Sequence, residues 1–290
     1  MSQRNPKNIL IQRENVEQIL RDYGVTEPIR DVSLYQTAMV HKSYLKTAQQ
    51  PSSEKIPLVE DSSDSDPRTR CILENSLEPM DQSYERLEFI GDTVLGSAIG
   101  TYLYARYPDQ DEGFMTKLKT KLVRDTTCAE LCRILGLQRF IVLSQYLDQV
   151  QNSRENEKFQ EDVFEAFLGA MYVDFGGLNL GQSGRAIDLC HNFIIKLYET
   201  HINFPALIHH DDNFKDQLLR YFQRNFGGQH PKYQIISEHG PTNHRVYEMG
   251  VMDIHGNVIG CGRATKKIQA EQMASMKALE HLGVPLNESL

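Results

Sequence analysis

The sequence predicts a mainly α protein in two parts: an all-helical region of about two hundred residues, then a small α-β-β-β-α module. Three observations carry this. Apolar residues recur at helical spacing through the first two hundred positions, short β-rich runs bounded by turn signals take over after Phe204-Pro205, and 290 residues exceed the roughly 100–200 of one domain. Hydrophobic residues at 40% and charged residues at 24% are ordinary globular values, and no long uncharged apolar run occurs, which excludes membrane-spanning and fibrous classes. The start, MSQRNPKNILIQREN, lacks the basic-then-apolar pattern of a secretory signal. Five cysteines, an odd number without a C-x-x-C pair, disfavour a disulfide framework and most zinc sites, so free thiols in the cytoplasm and no membrane partner are expected.

The elements follow in order. Val16, Ile19, Leu20 and Tyr23 mark a helix within Ile9 to Tyr23 that stops at Gly24, and a second is expected near Leu34 to Leu45. Residues 46–83 hold four prolines and seven serines, with eight acidic against four basic side chains, and read as a mobile acidic insertion. It supplies about half of the formal net charge of -8, since four minus eight is minus four. Helices are expected over Tyr84 to Tyr107, Phe114 to Leu135, Lys158 to Phe175 and Arg185 to His201, with the Gly-rich stretch from Gly176 to Gly184 separating the last two. A helix over Asn213 to Phe226, the runs YQIISEH, RVYEMGVMD and VIGCGRA, and a helix over Lys267 to Leu282 complete the chain. The expected boundaries are 1–202, carrying the insertion 46–83, a linker 203–211, and the module 212–284.

Acids stand where a core should be. In YERLEFIGDTVLGSAIGTYLYARY, Glu88 and Asp92 are i, i+4 on one face with Glu85 a turn earlier; in EDVFEAFLGAMYVDF, Asp162 and Glu165 are i, i+3 among large apolar residues. Buried like charges are costly unless paired with cations or bound to metal. Carboxylates facing one another suit hard divalent ions such as Mg²⁺, and two such ions serve phosphodiester hydrolysis by activating water and stabilising the leaving oxygen. Histidine and cysteine are absent from both segments, which disfavours zinc. Spacing alone leaves open the alternative that each acid caps a helix or pairs with Arg86, Arg106 or Lys158 on a solvated face.

The octapeptide E-R-L-E-F-I-G-D at Glu85 to Asp92 resembles the signature of the ribonuclease III family, with Ile90 replacing the usual Leu. V-H-K-S-Y at Val40 to Tyr44, E-G-x-x-T at Glu112 to Thr116 and D-V-F-E-A at Asp162 to Ala166 match further family motifs in the expected order, and the C-terminal module resembles the double-stranded RNA-binding domain of its single-nuclease members. The resemblance implies an all-helical endonuclease domain that forms a homodimer and cuts both strands of double-stranded RNA. It implies Mg²⁺, with Mn²⁺ able to substitute, and products with 5′-phosphate ends and short 3′ overhangs. It assigns Glu88, Asp92, Asp162 and Glu165 as the catalytic, metal-binding acids and Glu85 and Glu112 as accessory ones. Gly91, lacking a side chain, permits close helix packing or backbone approach beside the acids, with packing alone the plainer reading, and for His41 a packed helix end is set against a role in RNA contact or catalysis.

RNA duplexes are gripped by shape, through 2′-hydroxyls and phosphates. The resemblance places RNA contacts at Lys215, Asp216 and Arg220 on the first helix of the module, at Asn243 and His244 in the loop G-P-T-N-H, and at Lys266 and Lys267 opening its last helix. Leu219 and Arg220 depart from the Gln and Glu usual there, His244 falls one step late, and the lysines one position early. In the nuclease part, Lys117, Lys121 and Arg124 at i, i+4, i+7 are a candidate phosphate track. An alternative from another class is a protein that sequesters double-stranded RNA to suppress RNA silencing, with cleavage secondary or absent.

Overall fold

The computed structural model describes residues 4–46, 76–150, 152–179, 181, 183–209, 213–240 and 245–284. Most of the acidic insertion lies outside them, as does the loop bearing Asn243 and His244. The chain forms two compact units, Met1–Ile202 and Asn203–Leu290. Among the described residues no helix is long and apolar enough to cross a membrane.

The first unit contains helices α1 (Arg13–Asp22), α2 (Val32–Thr37), α3 (Glu85–Arg106), α4 (Glu112–Leu122), α5 (Asp125–Ile134), α6 (Gln145–Val150), α7 (Glu157–Asp174) and α8 (Ser183–His201). At the centre is α7, buried without interruption from Asp162 to Met171, a run apolar but for Asp162 and Glu165. It starts at Asn156, whose side chain accepts the Lys158 N–H, a cap typically worth ~1 kcal/mol. Packed most extensively against it is α3, with α5 also alongside. The approach of α3 to α7 depends on two glycines: a Cβ on Gly91 would stand 1.8 Å from the Glu165 carbonyl oxygen, and one on Gly169 would stand 2.0 Å from that of Leu87. Only glycine lets the two backbones meet there.

Two expected helices are corrected. Between Leu34 and Leu45 the helix ends at Thr37; Val40 then pairs with Val142 in an isolated bridge and Lys42–Tyr44 form a 3-10 turn. The run Phe114 to Leu135 is broken between α4 and α5, where Arg124 is extended and the Thr127 hydroxyl donates to the Lys121 carbonyl. Lys117 and Lys121 lie on α4, but Arg124 lies beyond its end, so the three do not share one helix face.

In the second unit α9 (Phe204–His209) falls in the expected linker, followed by α10 (Phe214–Asn225), β1 (Lys232–His239), β2 (Val246–Met252), β3 (Val258–Ala264) and α11 (Lys267–His281). The strands form an antiparallel sheet in the order β1-β2-β3. Leu218 and Phe222 of α10, Val251 of β2, and Ala274, Ala278 and Leu279 of α11 form its core.

Candidate active site and RNA-binding residues

The α3–α7 crossing brings together the four acids singled out by spacing. Asp162 and Glu165 are buried, at 7% and 6% exposure, Glu88 is half-buried and Asp92 is exposed. Burial, followed by the charge of Asp162, pushes the Glu88 carboxyl up to about 7; burial, followed by the charge of Asp92, pushes Glu165 up to about 8. Glu88 and Glu165 thus each feel an acid across the helix pair, and the Lys158 ammonium, which pulls both values down, does not offset burial and like charge.

Two groups hold Asp162. The Tyr84 hydroxyl donates to Oδ2 at 2.9 Å. The Lys158 ammonium is 2.7 Å from Oδ1 and 3.0 Å from Glu161 Oε2. Burial alone would lower the Lys158 pKa, but pairing with Asp162 and Glu161 outweighs it and raises the value. Despite that ion pair, Oδ1 is buried and accepts no hydrogen bond of good geometry among the described residues. Glu161 carries a raised pKa from burial and belongs to the same field.

Among the described residues no three His, Cys, Asp or Glu side chains converge tightly enough to enclose a metal ion as they stand. The donor set fits a hard divalent ion: carboxylate oxygens alone, two of the carboxyls with raised pKa values, and a buried Asp162 oxygen met by the Lys158 ammonium. Glu88, Asp92, Asp162 and Glu165 are the residues that could hold it.

The other expected residues stand as follows. Glu85 is exposed, held 3.1 Å from Lys42, whose hydrogen bond keeps its carboxyl below the usual range. Glu112 opens α4, where its carboxylate accepts from the Thr116 hydroxyl at 2.7 Å. His41 is buried, its ring nearly perpendicular to that of Phe159 and its Nδ1 accepting the Ser43 backbone N–H. Lys215 is committed within its own unit, 2.5 Å from Glu271 and 5.0 Å from the centre of the Tyr233 ring. Asp216 and Arg220 pair with each other at 2.9 Å. Lys266 precedes α11 in extended conformation, and Lys267 lies over the Tyr247 ring at 5.1 Å; both are exposed.

Sequence reasoning passed over Glu161 and Tyr84. Glu161 is i, i+4 to Glu165, so helical spacing could have found it. Tyr84 joins Asp162 across 78 residues of chain, and no local pattern signals that.

Residues 85–176 match the model of the ribonuclease III domain, and residues 214–282 match that of the double-stranded RNA binding motif. A ribonuclease 3 of Streptococcus gordonii is 31% identical over 268 residues, which cover 92% of this chain and 97% of the relative. One of Protochlamydia amoebophila is 33% identical over 211 residues, 73% of this chain and 81% of the relative. A probable ribonuclease 3 of Acanthamoeba polyphaga mimivirus is 38% identical over 209 residues, 71% of this chain, but the match spans only 36% of that longer protein. Among solved structures, the nuclease domain of ribonuclease III from Campylobacter jejuni superposes with a TM-score of 0.46 at 24% identity, covering 67% of this chain and 99% of that one.

Proposed function

The chain belongs to the ribonuclease III family and is a double-stranded RNA endoribonuclease, and from that premise we propose that Glu88, Asp92, Asp162 and Glu165 hold two divalent ions, Mg²⁺ or in its place Mn²⁺, for the hydrolysis. The observation that carries this is the convergence of four carboxylates on the α3–α7 crossing, with Glu88 raised to about 7 and Glu165 to about 8. When bound, the ions supply an activated water and a charge sink for the leaving 3′-oxygen, which leaves a 5′-phosphate. The chain's own part is to gather and orient these carboxylates: Gly91 and Gly169 let the helices approach, and the buried α7 keeps Glu165 from rotating away.

Cutting both strands to leave short 3′ overhangs needs two such sites, which a homodimer of the nuclease domain supplies. The face available for it is α3, where Phe89 is 77% and Tyr104 74% exposed, large apolar areas for solvent to meet. RNA is held by the module, through Lys266 and Lys267 on phosphates, through Asn243 and His244 on ribose hydroxyls, and through Lys215, Asp216 and Arg220 of its first long helix, while Lys117, Lys121 and Arg124 offer cations in the nuclease unit. Glu85 and Glu112 are accessory acids.

A labelled duplex of about thirty base pairs, longer than the ~16 one RNA-binding module spans, tests the reading. Both strands should shorten to discrete products with Mg²⁺ and not with EDTA. Glu165→Gln should reduce cleavage by ~10²–10³-fold with duplex binding unchanged, a loss on the scale of removing a central electrostatic group. Undiminished cleavage by Glu165→Gln would sink the assignment.

A further inference from the structure

Asp162 is anchored by a part of the molecule that the four-carboxylate reading leaves without a role. Tyr84, 3% exposed, donates its hydroxyl to Asp162 Oδ2, and its own backbone N–H donates to the Val40 carbonyl at 2.8 Å. Its ring packs on His41, centroid to centroid 5.8 Å, and the rings of His41 and Phe159 of α7 meet nearly at right angles with centroids 4.7 Å apart. His41 is itself clamped: the Ser43 N–H donates to Nδ1 at 3.1 Å, and the Ser43 hydroxyl, 2.9 Å from Nδ1, accepts from the Ser144 N–H. A backbone N–H can only donate, so Nδ1 is an acceptor without a proton and the ring is oriented, not free to shuttle protons through that atom. The motif V-H-K-S-Y thereby forms a fixed wall behind Tyr84.

A phenol suits this place because it orients a carboxylate without neutralising it. Lys158, by contrast, faces the other oxygen with a full charge, on an exposed flexible side chain.

We propose that Tyr84 is a positioning residue of the nuclease: its hydroxyl fixes Asp162 Oδ2 so that Oδ1 is reserved for a divalent cation, a place the Lys158 ammonium fills until the cation arrives. The assignment rests on the four-carboxylate reading and deepens it.

Tyr84→Phe in the full chain keeps the ring and its packing and deletes only the hydroxyl. Two readouts apply, Mn²⁺ binding followed by electron paramagnetic resonance without RNA, and the Mg²⁺ concentration giving half-maximal cleavage. Mn²⁺ affinity should fall by about 10-fold or more, the usual loss when a partner of a metal ligand is removed, and the Mg²⁺ requirement should rise with it, while duplex binding in EDTA stays unchanged. In an Asp162→Asn background the same change should alter Mn²⁺ affinity less than about twofold, since its effect passes through Asp162. Wild-type Mn²⁺ affinity in Tyr84→Phe, or an undiminished effect in the Asp162→Asn background, overturns the assignment while leaving the four carboxylates in place. Mn²⁺ binding indifferent to Asp162→Asn overturns the four-carboxylate reading and this assignment with it, so the two failures are told apart.

Discussion

Glu165 is a carboxylate inside a helix that is otherwise core, and its proton affinity carries a measurable consequence. Its carboxyl stands at about 8 against 4.5 unperturbed, with burial as the main cause. Between those values the unfolded chain has released the proton and the folded, metal-free chain has kept it. The folded state then binds more protons, so this group makes stability fall as pH rises from about 4.5 through about 8, and the loss is complete above that. At ~1.4 kcal/mol per pKa unit this destabilisation is on the order of a few kcal/mol. Glu165→Gln should therefore match the wild type in thermal unfolding near pH 5 and exceed it by several degrees at pH 8, with Mg²⁺ closing the gap by stabilising only the wild type. Equal melting curves at both pH values would show that Glu165 lies in a solvated setting. The acids of α3 and α7 were legible in the sequence because helical spacing is local: i, i+3 and i, i+4 acids among apolar residues can be seen without a fold. The Tyr84 contact was not, since it is made by helix packing between positions far apart in the chain.

At the scale of elements, the site depends on how closely two helices approach. Because a Cβ on Gly91 or Gly169 would meet a backbone carbonyl, relief requires α3 and α7 to part, not a side chain to rotate. Gly91→Ala or Gly169→Ala should cost ~3 kcal/mol or more, the upper part of the usual overpacking range, lowering the melting temperature by roughly 6–12 °C and weakening Mn²⁺ binding together. Gly184→Ala serves as the comparison, since nothing lies within 4 Å of its added Cβ and helix propensity favours alanine by up to ~1 kcal/mol. If Gly91→Ala melts like Gly184→Ala, close backbone contact is not what assembles the acids. The sequence showed where most helices lie but not where two of them break. No proline or glycine interrupts Phe114 to Leu135; the break is marked only by the polar cluster from Arg124 to Thr127, where Asp125 accepts the Thr126 N–H and Thr127 ties back to Lys121. Likewise α2 ends at Thr37 without a breaker, because Val40 is drawn out to pair with Val142, a partner a hundred residues away.

At the scale of the whole molecule, charge is what separates holding RNA from cutting it. The formal net charge of -8 is opposed to a polyanionic partner, and from residue 212 onward nine basic side chains meet eight acidic ones. Several of those cations are already committed: Lys215 to Glu271, Arg220 to Asp216, Arg245 to Glu238 and Arg263 to Glu248. Among the described residues no ion pair holds Lys266 or Lys267, and both stand exposed where the backbone N–H groups of a 15-residue helix also favour an anion. Phosphate binding should therefore be concentrated at this helix start. Replacing both lysines by glutamine in the full chain should leave single-turnover cleavage at saturating enzyme unchanged, because the acids belong to the other unit. It should weaken duplex binding, and the slope of log affinity against log salt should flatten by nearly two, at ~0.9 for each phosphate that a lysine no longer neutralises. Fluorescence anisotropy with a duplex at several salt concentrations measures this directly. An unchanged slope would mean that the duplex is held by other cations, for which Lys117 and Lys121 on α4 are the next to replace; a slope that flattens while the cleavage step stays constant assigns grip and chemistry to separate units of the chain.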